Sequence, residues 1–137
     1  MQKLGCVLLI DDSEADNFIH TRRLNKMNLA DDIVVRTNGQ EGIRYFTEED
    51  AVARPDILFL DINMPVMDGW EFLDRYQQLP AEQRARLTVL MIASSVSDGD
   101  HERANGYTCI DSRQTKPLTR EKVRELLEEH FPDCLPD

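Results

Sequence analysis

The stretch "LFLDINMPVMDG", Leu58 to Gly69, is an apolar run that ends on one carboxylate, Asp61. The chain then breaks at Met64-Pro65 and turns at Asp68-Gly69, since the residue before a proline disfavours helix and Asp-Gly favours a turn. A second stretch, "CVLLIDDSEAD", Cys6 to Asp16, climbs through Ile10 and ends on two acids, Asp11 and Asp12. Apolar runs that do not alternate belong to strands covered on both faces, as in a parallel sheet. Both stretches therefore predict a buried strand with a carboxylate at its carboxyl end.

The rest of the chain keeps this rhythm. "DIVVRT" and "TVLMIA" supply two more strand-like runs, and "YTCIDS", Tyr107 to Ser112, a weaker fifth. Helical patterns lie between them. Ser13 caps a helix to about Met27 or Asn28, with Asp16 placed as the acid of a capping box. A second runs from Gly39 to about Ala53 and a third from Asp68 or Gly69, with Phe72, Leu73, Tyr76 and Leu79 on one stripe. A fourth covers about Asp98 to Asn105, closed by Gly106. Thr119 caps a fifth, with a stripe of Val123, Leu126, Leu127, His130 and Phe131. The aromatics Phe18, Phe46, Trp70, Phe72 and Tyr76 are expected in the core. Five βα units imply an α/β doubly wound parallel sheet with right-handed crossovers, flavodoxin-like, in strand order 2-1-3-4-5. One domain is expected over 1–131, with "PDCLPD", 132–137, as a loose tail.

Bulk composition narrows the function. The chain has 137 residues and a formal net charge of -10. Neutralising phosphates takes an excess of Lys and Arg, so neither direct nucleic-acid binding nor an anionic membrane surface is expected. The three cysteines, Cys6, Cys109 and Cys134, show no C-x-x-C spacing, which suits a reducing compartment. No apolar run reaches the roughly 20 residues of a membrane helix, and no leader precedes the first strand. A cytoplasmic protein is expected.

In an open parallel sheet, ligands bind beyond the carboxyl ends of the strands. The first and third strands are neighbours in the 2-1-3-4-5 order, so Asp11, Asp12 and Asp61 would share one pocket. Carboxylates crowded together raise each other's pKa or take a cation. A hard divalent ion, most simply Mg²⁺, suits oxygen ligands. Lys116, just before Pro117, ends the fifth run and can reach the same pocket as a point charge for an anion. Three acids, a metal and an ammonium are equipment for a phosphoryl group, with Asp61 as the nucleophile that becomes an aspartyl-phosphate.

Asp11-Asp12, "LDINMPVMDG" around Asp61 and "TKPLT" around Lys116 together resemble a response-regulator receiver domain of two-component phosphorelay signalling, over about residues 6 to 130. The resemblance implies that Asp61 accepts a phosphoryl group from a sensor histidine kinase or a histidine phosphotransfer protein. It implies that Asp12, Asp61 and the backbone carbonyl of Asn63 hold Mg²⁺, with Asp11 acting through a metal-bound water. Lys116 would pair with the acyl phosphate, and the Lys116-Pro117 bond would be cis. Phosphorylation would bias the face of the fourth helix, fifth strand and fifth helix toward a downstream protein target. The chain would be a stand-alone receiver and not an enzyme.

Two positions depart from the family pattern. The hydroxyl expected at the end of the fourth strand falls on Ala93 or, one residue later, on Ser94, which is preferred as the phosphate-reaching group. Arg113 stands where Tyr or Phe is usual, so it either offers a charged contact to a partner or is a solvated side chain. These departures leave open a receiver-like domain that binds partners without phosphorylation. A phosphatase of the haloacid-dehalogenase kind also uses Asp, Mg²⁺ and Lys, but it needs a second Asp where this chain has Asn63, which cannot donate and recover a proton.

Overall fold

The computed structural model of the chain describes residues 3–47, 54–62, 64, 67–92 and 98–135. Five strands form one sheet: β1 (Leu4–Ile10), β2 (Ala30–Arg36), β3 (Ile57–Asp61), β4 (Leu87–Ile92) and β5 (Ser112–Thr115). All pairings are parallel and the order is β2-β1-β3-β4-β5, as the sequence predicts. Five helices alternate with them: α1 (Glu14–Lys26), α2 (Gly39–Thr47), α3 (Gly69–Tyr76), α4 (Asp98–Ala104) and α5 (Arg120–His130).

The non-alternating runs have the expected cause. In β1, Leu8 and Ile10 face one core with Leu58, Leu60, Leu90, Phe46, Phe72 and Tyr76. Their neighbours Val7 and Leu9 face a second core with Phe59, Val89, Leu24, Val123 and Leu127. Every residue of β3 and β4 is buried. Burying a side chain of this size contributes roughly 1.5–3 kcal/mol, so the central strands are fixed by apolar matter on both sides. That leaves only their ends to carry polar chemistry.

Caps set where the helices begin. Ser13 Oγ accepts from the Asp16 amide at 3.1 Å, Asp68 Oδ1 from the Glu71 amide at 2.9 Å, and Thr119 Oγ1 from the Lys122 amide at 3.2 Å. Gly69 answers a tighter demand. A Cβ there would lie 2.6 Å from Ile62 Cα and 2.7 Å from the Asp61 carbonyl oxygen, while its amide donates to the Ile62 carbonyl at 2.7 Å. The start of α3 is thereby pressed against the end of β3, directly behind Asp61.

Several expectations need correction. The fifth strand is not Tyr107–Ser112; it starts at Ser112 and ends at Thr115. Its residues pair with Val89 to Ile92 of β4. As an edge strand it is only partly covered, so it carries no apolar signature. The apolar residues ahead of it serve the core as turn residues: Cys109 is buried, and Tyr107 stacks on Trp70 at 5.8 Å. Phe18 is not core but 65% exposed, because α1 buries Asn17, His20 and Leu24 and Phe18 lies about 100° round the helix from Asn17. Leu79 lies beyond α3, although it still packs against the core. The tail expected to be loose from Pro132 instead makes a 3-10 turn, Pro132–Cys134, that buries Cys134 in the second core. The part of the second helix expected beyond residue 47, up to Ala53, lies outside the described residues apart from the element's end at Thr47.

Gly69→Ala should lower unfolding stability by about 1–3 kcal/mol, because the clash is with backbone that cannot turn aside. Gly106→Ala, whose Cβ would meet only the Arg103 carbonyl oxygen at 3.4 Å, should be far milder. Urea denaturation of the two variants checks this; equal losses would contradict it.

Candidate functional site

Sheet register delivers the acids to one place. Ile10 pairs with Leu60, so Asp11, one residue past β1, comes beside Asp61 at the end of β3. Asp11, Asp12 and Asp61 each offer a carboxylate oxygen, and these oxygens lie within 4.8 Å of one another. Asp11 and Asp61 are buried and Asp12 is exposed. Across β4, Ile92 pairs with Thr115 and its carbonyl accepts from the Lys116 amide at 2.9 Å. Lys116 thus leaves β5 at the height of the acids, and its long side chain spans the intervening strand.

Lys116 Nζ lies 2.7 Å from Asp11 Oδ2, 3.0 Å from Asp16 Oδ2 and 3.3 Å from Asp61 Oδ1. Burial disfavours its charge, but the bonds to Asp11 and Asp16 and the charge of Asp61 outweigh that and raise its pKa. Asp61 responds the other way. Burial, then the neighbouring Asp11 charge, push its carboxyl up to about 6 against the pull of Lys116. Asp61 is therefore a carboxylate with less compensation than its surroundings call for. A cation among these oxygens would relieve that, and an all-oxygen donor set suits Mg²⁺.

The neighbours hold the frame. Asp11 Oδ1 accepts from the Ser13 amide at 2.9 Å, and Asn17 Nδ2 donates to the Asp11 carbonyl at 2.7 Å. His20 Nε2 accepts from the Leu118 amide at 3.2 Å, and burial holds the imidazole below its usual pKa. The Lys116-Pro117 peptide is cis, as the resemblance implied.

Residues 7–128 match the response regulator receiver domain family. The chain belongs to that family. A two-component response regulator of Cytophaga hutchinsonii shares the receiver fold at a TM-score of 0.80 and 28% identity, covering 96% of this chain and 99% of that one. Two-component response regulator 24 of Arabidopsis thaliana is 25% identical over 120 residues, 88% of this chain and 79% of that protein. The sensor histidine kinase CheAY of Helicobacter pylori is 29% identical over 121 residues, but the receiver spans only 14% of that protein's length. No helix among the described residues is long and apolar enough to cross a membrane.

Of the site residues read from the sequence, the receiver brings together Asp11, Asp12, Asp61 and Lys116. Asn63 and both candidates for the hydroxyl position, Ala93 and Ser94, lie outside the described residues. Arg113 is half-buried and bonded within the chain. Its Nη1 donates to the His101 carbonyl at 3.3 Å and its Nη2 to Asn105 Oδ1, so it ties β5 to the end of α4. Sequence reasoning missed Asp16 as a site residue. The Ser13 cap accepts its amide as expected, but its carboxylate reaches Lys116 instead of turning back on the cap. The only hint was its spacing of four from His20, which puts both on one side of α1.

Asp61 gives the metal-free fold a distinct pH dependence. Its folded pKa, about 6, exceeds its ordinary value near 3.8, so its share of stability is greatest below pH 4 and is lost as pH rises through 6. Asp61→Asn should accordingly stabilise the protein at pH 7.5 in chelator by about 1–3 kcal/mol, with the gain fading by pH 4. Paired denaturation curves at the two pH values test this. A gain independent of pH, or a loss at pH 7.5, would refute it.

Proposed function

We propose that this chain is a phospho-accepting receiver of a two-component system. Asp61 takes a phosphoryl group from a histidine kinase or a histidine phosphotransfer protein in a Mg²⁺-dependent reaction. The observation that carries this reading is the meeting of Lys116 Nζ, 3.3 Å from Asp61 Oδ1, with three carboxylates whose oxygens lie within 4.8 Å of one another.

The roles follow from position. An Asp61 oxygen attacks phosphorus; the P–O bond forms as the P–N bond of the donor phosphohistidine breaks, and the released imidazole nitrogen is left to take a proton. A cation among the acids would favour the ionised carboxylate that this attack needs. Asp12 and Asp61, with the backbone carbonyl of Asn63, would hold Mg²⁺, with Asp11 acting through a bound water, and the ion would supply positive charge against the phosphoryl oxygens. Lys116 offers a second positive charge, 3.3 Å from Asp61 Oδ1. Ser94 is the hydroxyl proposed to reach the phosphoryl group.

The output follows from the same geometry. Lys116 leaves β5 directly, and Arg113, three residues earlier, ties that strand to α4. A pull on Lys116 by the acyl phosphate would be felt by the α4-β5-α5 face, and a downstream protein would read the shift there. The acidic balance of -10 favours a protein over nucleic acid as that target.

Acetyl phosphate with Mg²⁺ should add one phosphoryl group to the wild type by intact mass. Asp61→Asn should gain none, and chelator should abolish the gain on the wild type. Labelling of Asp61→Asn to the wild-type extent, or no labelling of the wild type, would count against the proposal.

A further inference from the structure

We propose that Asp16 is a positioning residue for the phosphoryl chemistry: its carboxylate holds the Lys116 ammonium in reserve and yields it when Asp61 carries its phosphoryl group. The inference rests on the receiver reading above and extends it to a residue outside the acid triad.

The argument starts from the three N–H donors of an ammonium. Lys116 has three carboxylates in reach, and it hydrogen-bonds to two of them, Asp11 at 2.7 Å and Asp16 at 3.0 Å. Asp61, at 3.3 Å, is the longest of the three ion contacts. In the uncharged state the ammonium is therefore committed to the α1 side of the site, not to the phosphoacceptor. Charging Asp61 replaces one negative charge with a phosphoryl group of about two, bearing several acceptor oxygens. The third donor can turn to that group, and its greater charge draws the ammonium away from the two carboxylates it already holds.

Exposure decides which of the two bonds yields. The Asp11 side chain is 7% exposed and that of Asp16 is 38% exposed. Leaving a buried carboxylate without its partner is costly, whereas an exposed one is taken up by water. Asp11 is also tied by the Ser13 amide. Asp16 is the bond that can be traded.

Its placement is built, not incidental. The Asp16 amide is held by the Ser13 cap, which fixes the first turn of α1. One turn on, His20 accepts from the Leu118 amide, pinning the loop that carries Lys116 to the same helix. Asp16 is not among the acids close enough to share a cation with Asp61, so its charge acts through the lysine. The pairing also pulls the Asp16 carboxyl below its ordinary pKa, chiefly through the Lys116 hydrogen bond.

The test measures beryllofluoride binding to the Mg²⁺-loaded full chain by ¹⁹F NMR, since beryllofluoride on Asp61 mimics the acyl phosphate. Asp16→Asn frees Lys116 and should bind the mimic about two- to five-fold more tightly, the size expected for a partly exposed ion pair. Glu14→Gln removes the same charge from the same exposed turn and should change binding much less. Asp16→Glu should return binding toward the wild type. Mg²⁺ affinity, by calorimetry, should shift no more in Asp16→Asn than in Glu14→Gln. Asp16→Ser repeats the measurement should the Asn variant fold poorly. Asp16→Asn that matches Glu14→Gln, or binds the mimic more weakly than the wild type, overturns the positioning role and leaves the receiver reading intact. A wild type that takes no beryllofluoride on Asp61 overturns both.

Discussion

The ammonium of Lys116, held among Asp11, Asp16 and Asp61, is the contact that lets the carboxyl edge of this sheet exist. Two like charges about 4 Å apart at an effective dielectric near 20 repel by about 4 kcal/mol. Asp11 and Asp61 are both buried at the same edge, so the repulsion is not screened away by solvent. Lys116 offsets part of it. The remainder shows in the carboxyl of Asp61, which sits at about 6 despite the lysine. On the proposed reading, a further positive charge and then a phosphoryl group would enter a site that already carries this imbalance.

The apolar body of the fold makes that tolerance affordable in structural terms. β1, β3 and β4 are covered on both faces by separate cores. Their ends cannot drift without exposing those cores, so the acids stay close although they repel. Gly69 adds a local constraint: the backbone of α3 approaches the backbone of Ile62 too closely for any side chain. Asp61 is thus backed by main chain that cannot give way. Fold stability is spent where it holds reactive groups in an arrangement they would not choose alone.

Two helices, α1 and α4, are tied to the strands of the site in different ways. α1 reaches it with polar side chains, through Asp16 to Lys116, Asn17 to the Asp11 carbonyl, and His20 to Leu118. α4 is joined to β5 by Arg113, through His101 and Asn105. Lys116 sits between these attachments. Any change in the charge at Asp61 alters the balance of forces on Lys116, and the strand that carries Lys116 is the strand that Arg113 ties to α4. Electrostatics at the site and the position of a surface helix are therefore linked by a short run of chain, with no long pathway required.

The sequence by itself pointed to the doubly wound parallel sheet in order 2-1-3-4-5 and placed Asp11, Asp12 and Asp61 at strand ends, because an apolar run that ends on a charge leaves a local signature in the chain. The acidic balance and the caps at Ser13, Asp68 and Thr119 were local in the same way. Tertiary structure decided what depends on neighbours distant in sequence. β5 is an edge strand of partly covered polar residues, which leaves no apolar pattern to read. The apolar type of Phe18 points to the core, but its angle on α1 turns it to solvent. Asp16 reads as a capping-box acid because the lysine it pairs with lies 100 residues away, and the bond of Arg113 to Asn105 is invisible in the chain because it forms only once α4 has packed beside β5. Hydrophobic periodicity is written along the chain, whereas the pairing of charges is settled only when the folded sheet brings its strand ends together.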